Sequence, residues 1–151
     1  MSRPDVLLYR AVVRIDAPPE RVWDWLRDWD RSSRWILGTT VEVVGVQREG
    51  VGARTRAVTR IAGIKLTDEM TVTRWDPPRL LEVRHHKRPV LGDAWFEVVP
   101  DGAGARVEWV EDLELPFGKA GELAGNVARA PVEWGLKKSL STLRDLIERE
   151  G

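Results

Sequence analysis

The chain has no cysteine at all, and its 151 residues include only two histidines, two methionines, two phenylalanines and one tyrosine. Without cysteine there is no disulfide, no thiolate nucleophile and no zinc or iron–sulfur site built on sulfur. An excess of one charge is lacking as well. The 24 Lys and Arg balance 24 Asp and Glu, for a formal net charge of zero, which disfavours a protein held mainly by nucleic-acid phosphates. No apolar run is long enough to span a bilayer. Met1-Ser2-Arg3-Pro4-Asp5 leads into a strand-like segment without the apolar core of a signal peptide. The expectation is a soluble, cytoplasmic protein that binds no nucleic acid and makes no stable membrane insertion.

What is present is a globular composition, 42% apolar and 32% charged, with eight tryptophans. The length suits one domain over residues 1–151, and neither a repeat nor a linker divides it. Leu7, Tyr9, Ala11, Val13 and Ile15 alternate with polar positions and predict a half-buried first strand. Asp16-Ala17-Pro18-Pro19-Glu20 reads as a helix start, and Val22, Leu26 and Trp29 keep helical spacing in a helix ending near Asp28. A second helical piece is expected from Arg31 to Leu37, stopping at Gly38.

From Thr40 to Leu115 the pattern is one of short alternating runs cut by turn residues, such as Asp76-Pro77-Pro78-Arg79 and Pro100-Asp101-Gly102. Six strands fit, in a continuous antiparallel meander, because every connection is short. Pro116 closes the region. Phe117 to Glu150 reads as helical, with a break after Arg129 because Pro131 has no N–H to donate. Beyond it Val132, Leu136, Leu140, Leu143 and Ile147 form one apolar stripe. The predicted class is α+β: a curved seven-stranded antiparallel sheet wrapped around a long C-terminal helix, with two short helices between the first two strands.

This order, together with Ile15-Asp16-Ala17-Pro18-Pro19-Glu20-Arg21-Val22-Trp23, Leu26, Asp28, Trp35, Gly50-Val51-Gly52-Ala53-Arg54, Trp75-Asp76-Pro77-Pro78-Arg79-Leu80 and Gly102 to Trp109, resembles the START-like helix-grip (SRPBCC) superfamily. The likeness is to its bacterial polyketide cyclase/dehydrase and lipid-transport branch, and it covers essentially the whole chain. The resemblance implies a cavity between sheet and long helix that takes a hydrophobic small molecule, cyclic or polyketide-like, and it implies no cofactor. Three uses of that scaffold stay open: an aromatase/cyclase promoting aldol closure and loss of water, a non-catalytic carrier or sensor of lipids or small molecules, and a co-chaperone-like partner-binding module. The expected cavity lining is Tyr9, Trp35, Thr55, Met70, Phe96, Trp109, Glu111, Trp134, Leu136 and Leu140. Trp134 reads equally as an exposed packing residue.

Chemistry is sought where an ionisable residue interrupts an apolar strand face. Asp68 sits among Ile64, Leu66, Met70 and Val72; His85 shares a face with Leu81 and Val83; Glu111 shares one with Val107, Trp109 and Leu113. A simple register about Pro77-Pro78 places His85 opposite Met70 and diagonal to Asp68. Asp68 and His85 are the candidate acid/base pair, and the same pair also reads as two rim or core residues hydrogen-bonded to each other for structure. Adjacent residues on a strand face opposite ways, so His85 and His86 cannot close on one ion, and no metal site is expected. Gly50-Val51-Gly52 lacks the Lys-Ser/Thr ending of a phosphate loop and reads as a hairpin turn.

Overall fold

The computed structural model describes residues 6–114 and 118–150. Strand β1 (Val6–Ile15) buries Leu7, Tyr9, Ala11, Val13 and Ile15 and turns Arg10 and Arg14 to solvent, as the alternation requires. Helix α1 (Pro19–Leu26) starts on a proline, where a missing N–H has no intrahelical partner to lose, and buries Val22, Trp23, Trp25 and Leu26. The second helical piece is a 3-10 helix at Trp29–Arg34, earlier than the expected Arg31 to Leu37. The shift has a local cause. The Asp28 carboxylate accepts the Asp30 N–H at 3.2 Å and caps the turn there. Gly38 follows at φ +64°, with its carbonyl accepting the Arg60 N–H at 2.8 Å. A Cβ there would lie 2.7 Å from the Arg60 carbonyl, so the close approach to the next strands needs glycine.

The six further strands are β2 (Thr39–Val44), β3 (Arg54–Ile61), β4 (Ile64–Asp76), β5 (Leu80–Lys87), β6 (Val90–Asp101) and β7 (Gly104–Glu114). They form the expected meander. β1 closes against β7, so the seven-stranded antiparallel sheet has the order β1-β7-β6-β5-β4-β3-β2. Gly50-Val51-Gly52 lies in the β2–β3 connection, a turn and not a phosphate loop.

The C-terminal region is helical on both sides of one interruption, which falls at Ala128, one residue before the break expected after Arg129. Helix α2 (Gly118–Val127) ends before Ala128, and α3 (Arg129–Glu150) takes Pro131 into its first turn. The first N–H groups of a helix have no intrahelical acceptor, so a proline there costs nothing. The bonds from Ala128 N to Ala124 O and from Val132 N to Ala128 O, both 3.0 Å, run up to and past the junction. The expected closure at Pro116 and helix start at Phe117 lie outside the described residues.

Leu136, Leu140, Leu143 and Ile147 of α3 are buried against β1 and its neighbours, in a cluster with Ile15, Val22, Leu26 and Val107. Each such side chain contributes about 1.5–3 kcal/mol by leaving water. A second cluster, with Trp23, Trp29, Val72, Leu81, Val83 and Ala94, lies under β4, β5 and β6. Phe96 packs against both. A helix laid across a curved sheet cannot touch every strand, and the two clusters flank a space that side chains leave open. No helix among the described residues is long and apolar enough to cross a membrane.

Candidate functional site

The open space is a cavity of about 510 Å3. Its walls come from the inner faces of all seven strands, from the 3-10 helix and the residues that follow it (Trp29, Trp35, Ile36) and from α3 (Pro131, Val132, Gly135, Leu136, Ser139). This is the size and character of a small-molecule site: mostly apolar, with a few convergent polar groups. Ser139 ties two walls together, accepting the Leu37 N–H at 2.9 Å and donating to the Gly135 carbonyl at 2.8 Å. A larger and more open groove of about 910 Å3 lies beside α1, lined by charged side chains. These pair with one another, Arg27 with Asp24 and Glu49, Arg31 with Asp28 and Arg48 with Asp30. The groove is a solvated ion-pair surface, whereas the smaller cavity is mostly apolar.

Three ionisable residues meet on the cavity wall. Met70 pairs with His85 in the β4–β5 register, so Asp68 stands diagonally across, and its Oδ2 lies 2.8 Å from His85 Nδ1. On the other side of the ring, His85 Nε2 lies 2.8 Å from Glu111 Oε2. Glu111 is on β7, with β6 in between, and the contact forms because β6 offers almost no side chain there. His85 pairs with Gly92, and Glu111 pairs with Ala94. Gly92 is at φ +130°, and a Cβ on it would fall 2.2 Å from the Asp112 carbonyl, so this position excludes any larger residue. The second oxygen of Glu111 accepts the Trp109 indole N–H at 3.0 Å.

This arrangement fixes the charge of the ring. Burial alone would lower the pKa of His85, which is 3% exposed. The hydrogen bonds to Asp68 and Glu111, with the charges of both carboxylates, outweigh burial and raise it from 6.5 to about 10. At neutral pH the residue is an imidazolium, and both N–H groups donate. The sequence register anticipates the Asp68–His85 contact; that Glu111 closes a chain of three it does not. His86 points to the opposite face and meets the Thr71 hydroxyl at 3.0 Å. Among the described residues no group of three or more His, Asp or Glu side chains is arranged to hold a metal ion.

Of the other residues expected at the cavity, Tyr9, Trp35, Met70, Phe96, Trp109 and Leu136 line it. Three do not. Leu140 is fully buried one turn past Leu136, in the α3–β1 core; Trp134 leaves α3 toward solvent, 62% exposed; Thr55 is sealed within the sheet between Val43 and Met70. The walls also include Trp29, Leu66, Val83 and Ala94. Two-residue alternation from Asp68 and His85 already puts Leu66 and Val83 on the same face. An aromatic wall stands beside the ionisable chain. The Trp35 ring meets Phe96 at 5.8 Å and Trp109 at 6.0 Å, both edge-on, and Phe96 lies 4.9 Å from Trp109.

Comparison with known proteins places these features in a wider group. The model of the family described as polyketide cyclase / dehydrase and lipid transport matches residues 8–148. TTHA0849 from Thermus thermophilus is similar over 96% of this chain and 99% of its own, with TM-score 0.81 and 22% identity. The ZhuI aromatase/cyclase from Streptomyces sp. R1128 is similar over 95% of this chain and 94% of its own, with TM-score 0.77 and 21% identity. The Aha1 dimer from Colwellia psychrerythraea shares the fold over 94% of this chain and 96% of its own, with TM-score 0.64 and 17% identity. No curated protein matches the chain.

Proposed function

Because the chain belongs to the polyketide cyclase / dehydrase and lipid transport family, we propose that it binds a hydrophobic, cyclic or polyketide-like molecule in the cavity and promotes aldol cyclisation and dehydration there. One observation carries the catalytic part: the hydrogen-bonded chain Asp68–His85–Glu111 on the wall of an otherwise apolar cavity. Such groups are costly to bury unless they are paired or used.

In this reading Asp68 is the proton acceptor. His85 holds it through Oδ2, and Glu111 holds His85 from behind. The Asp68 carboxylate takes a proton from a methylene between two carbonyls. The enolate carbon forms the new C–C bond to a ketone carbon further along the chain, and the proton returns to the resulting alkoxide. Removal of a second α-proton expels the hydroxyl, which leaves as water with that proton. The aromatic wall of Trp35, Phe96 and Trp109 holds the chain folded. Fixing a flexible chain in a near-attack shape removes much of the entropic barrier.

Engagement of both His85 nitrogens favours a second reading, binding without turnover, in which the cavity carries or senses its ligand. The experiment separates the two. Native mass spectrometry of freshly purified protein identifies a co-purifying ligand. The protein is then incubated with a poly-β-keto thioester, and loss of water is followed by mass. The catalytic reading expects ring formation, with Asp68→Asn retaining affinity for a cyclic product and losing about 10²–10⁴ in turnover. A ligand bound without any ring formation, or turnover unchanged in Asp68→Asn, rejects it.

A further inference from the structure

We infer that the end of the protein around the cavity mouth docks on an anionic lipid bilayer. Leu37, Ile61 and Pro131 line the cavity and are also exposed, which marks its mouth. The antiparallel meander sends the β3–β4 and β5–β6 turns to one end of the sheet, where β7 also ends and the chain passes to α2. The β2–β3, β4–β5 and β6–β7 turns lie at the other end. The docking rests on the surface of the first end and requires neither turnover nor any particular ligand.

Apolar side chains stand there where turns and helix surfaces ordinarily carry polar ones. The β3–β4 turn reads Ile61-Ala62-Gly63-Ile64, all four exposed, with Ile64 at 71%. Ala62 and Gly63 stand at φ +51° and +79°, between the paired Ile61 and Ile64. A two-residue turn with both positions at positive φ ordinarily begins with Asn, Asp or Gly, which tolerate that backbone. This one takes alanine instead and presents a wholly apolar tip. Leu37 stands beside it, because the carbonyl of the next residue, Gly38, accepts the Arg60 N–H. On the helices Leu123, Val127, Pro131 and Trp134 follow at spacings of four, four and three, all exposed, and the bonds across Ala128 keep them on one face. Tryptophan is the side chain most at home where a membrane meets water. Single apolar residues on a surface are ordinary, but a set gathered around a cavity mouth marks an interaction site.

Charge identifies the partner. Arg60 and Lys65 pair directly behind the apolar tip, Lys87 and Arg88 lie at the β5–β6 turn, and Lys119 is in the first turn of α2. All five are exposed, and among the described residues none pairs with a carboxylate. At the other end Arg14, Arg27, Arg48 and Arg79 each do. Against the five stands Glu122 of α2, while Asp93 and Glu114 are engaged by Arg84. The chain is neutral overall, so this excess is local. Apolar points on three separate elements with cations beside them match a bilayer. Its acyl boundary receives the first, and its headgroup phosphates attract the second. The docking is interfacial, with no spanning segment, and a hydrophobic ligand can then pass between bilayer and cavity without crossing water.

The test is co-sedimentation of the unmodified protein with vesicles of phosphatidylcholine alone and of phosphatidylcholine with about a third phosphatidylglycerol. The inference expects binding at least about tenfold tighter to the anionic vesicles, and a loss of about tenfold when salt rises from about 0.1 M to about 0.5 M. Ile64→Glu should weaken that binding by about tenfold, and Lys87→Glu combined with Arg88→Glu by more. Val46→Glu makes the same change of charge at an almost fully exposed apolar residue of the β2–β3 connection, at the far end. It should leave binding within about twofold, because a charge more than a Debye length from the bilayer is screened. If Ile64→Glu does not fold, Val127→Glu probes the same surface from α2, where the side chain is 73% exposed. No binding to anionic vesicles, equal losses from Val46→Glu and Ile64→Glu, or self-association in place of vesicle binding overturns the inference. Each of those results leaves the proposed ligand cavity standing, since no cavity ligand takes part.

Discussion

Deprotonating His85 should remove stability from the folded protein at alkaline pH, which most buried histidines would not do. The folded pKa of about 10 lies above the 6.5 of an unperturbed ring. The folded state therefore holds its proton more tightly than the unfolded state does. The stabilisation is complete below pH 6.5 and is lost progressively as pH rises toward 10. The gap between the two values sets a ceiling of about 5 kcal/mol, at about 1.4 kcal/mol for each pH unit. With two histidines in the chain, the assay is clean. Ring carbon-bound protons of His85 and His86 are followed by NMR from pH 5 to 10, and urea unfolding is measured at pH 6 and at pH 9.5. The prediction is a His85 signal that stays in its charged position through pH 8, and a fall of several kcal/mol in unfolding free energy across the alkaline range. In His85→Gln, which has nothing to titrate there, the slope should flatten. A His85 signal with its midpoint near 6.5, or equal alkaline slopes in the two proteins, would refute the reasoning.

Two further perturbations address the fold around the cavity. Leu140 is fully buried where α3 meets the sheet, so Leu140→Asp places an unpaired charge in the core and should cost about 3–5 kcal/mol in urea unfolding. A loss below about 1 kcal/mol would mean that the stripe does not face the sheet. In α2, Gly125 is the one buried residue, and the Tyr9 hydroxyl donates to its carbonyl at 2.8 Å. Tyr9→Phe keeps the ring and removes that bond, so amide exchange over residues 118–127 should accelerate by about tenfold while Leu136 to Ile147 stay protected. Equal rates in both proteins would show that the bond does not hold α2.

The fold was legible because its signals are local. Alternation sets the faces of β1, β4 and β5, and turn residues set the short connections that force a meander. The exact residue of the helical break, one before the expected place, was not. Pro131 forbids a hydrogen bond at its own nitrogen, but whether that matters depends on where the helix begins, and α3 begins at Arg129. A proline in a first turn and one in a helix interior look alike in sequence.

The same divide separates the parts of the site. Asp68 and His85 sit on strands joined by one tight turn, and counting residues from Pro77-Pro78 brings them together. The pairing next to the turn is one residue off that count, and a bulge between Val72 and Arg74 restores it. Glu111 reaches His85 only because the strand between them carries glycine and alanine at positions 92 and 94. In sequence those two residues read as weak strand positions; in three dimensions they are the gap through which the chain closes. Thr55 and Leu140 failed as lining for the opposite reason. Alternation and helical spacing put each on an inner face, but an inner face includes both the packed core and the open cavity. What separates them is the curvature of the sheet.

The central claim is that a hydrophobic ligand binds beside the Asp68–His85–Glu111 chain, and the two histidines provide its most direct test. 6-Acetyl-2-naphthol is titrated into the protein at neutral pH while the ring signals of His85 and His86 are recorded. Binding in the cavity should move the His85 signals in saturable fashion and leave those of His86, on the opposite face of β5, where they are. Saturable binding that shifts His86 alone, or that leaves His85 unmoved, would contradict the account.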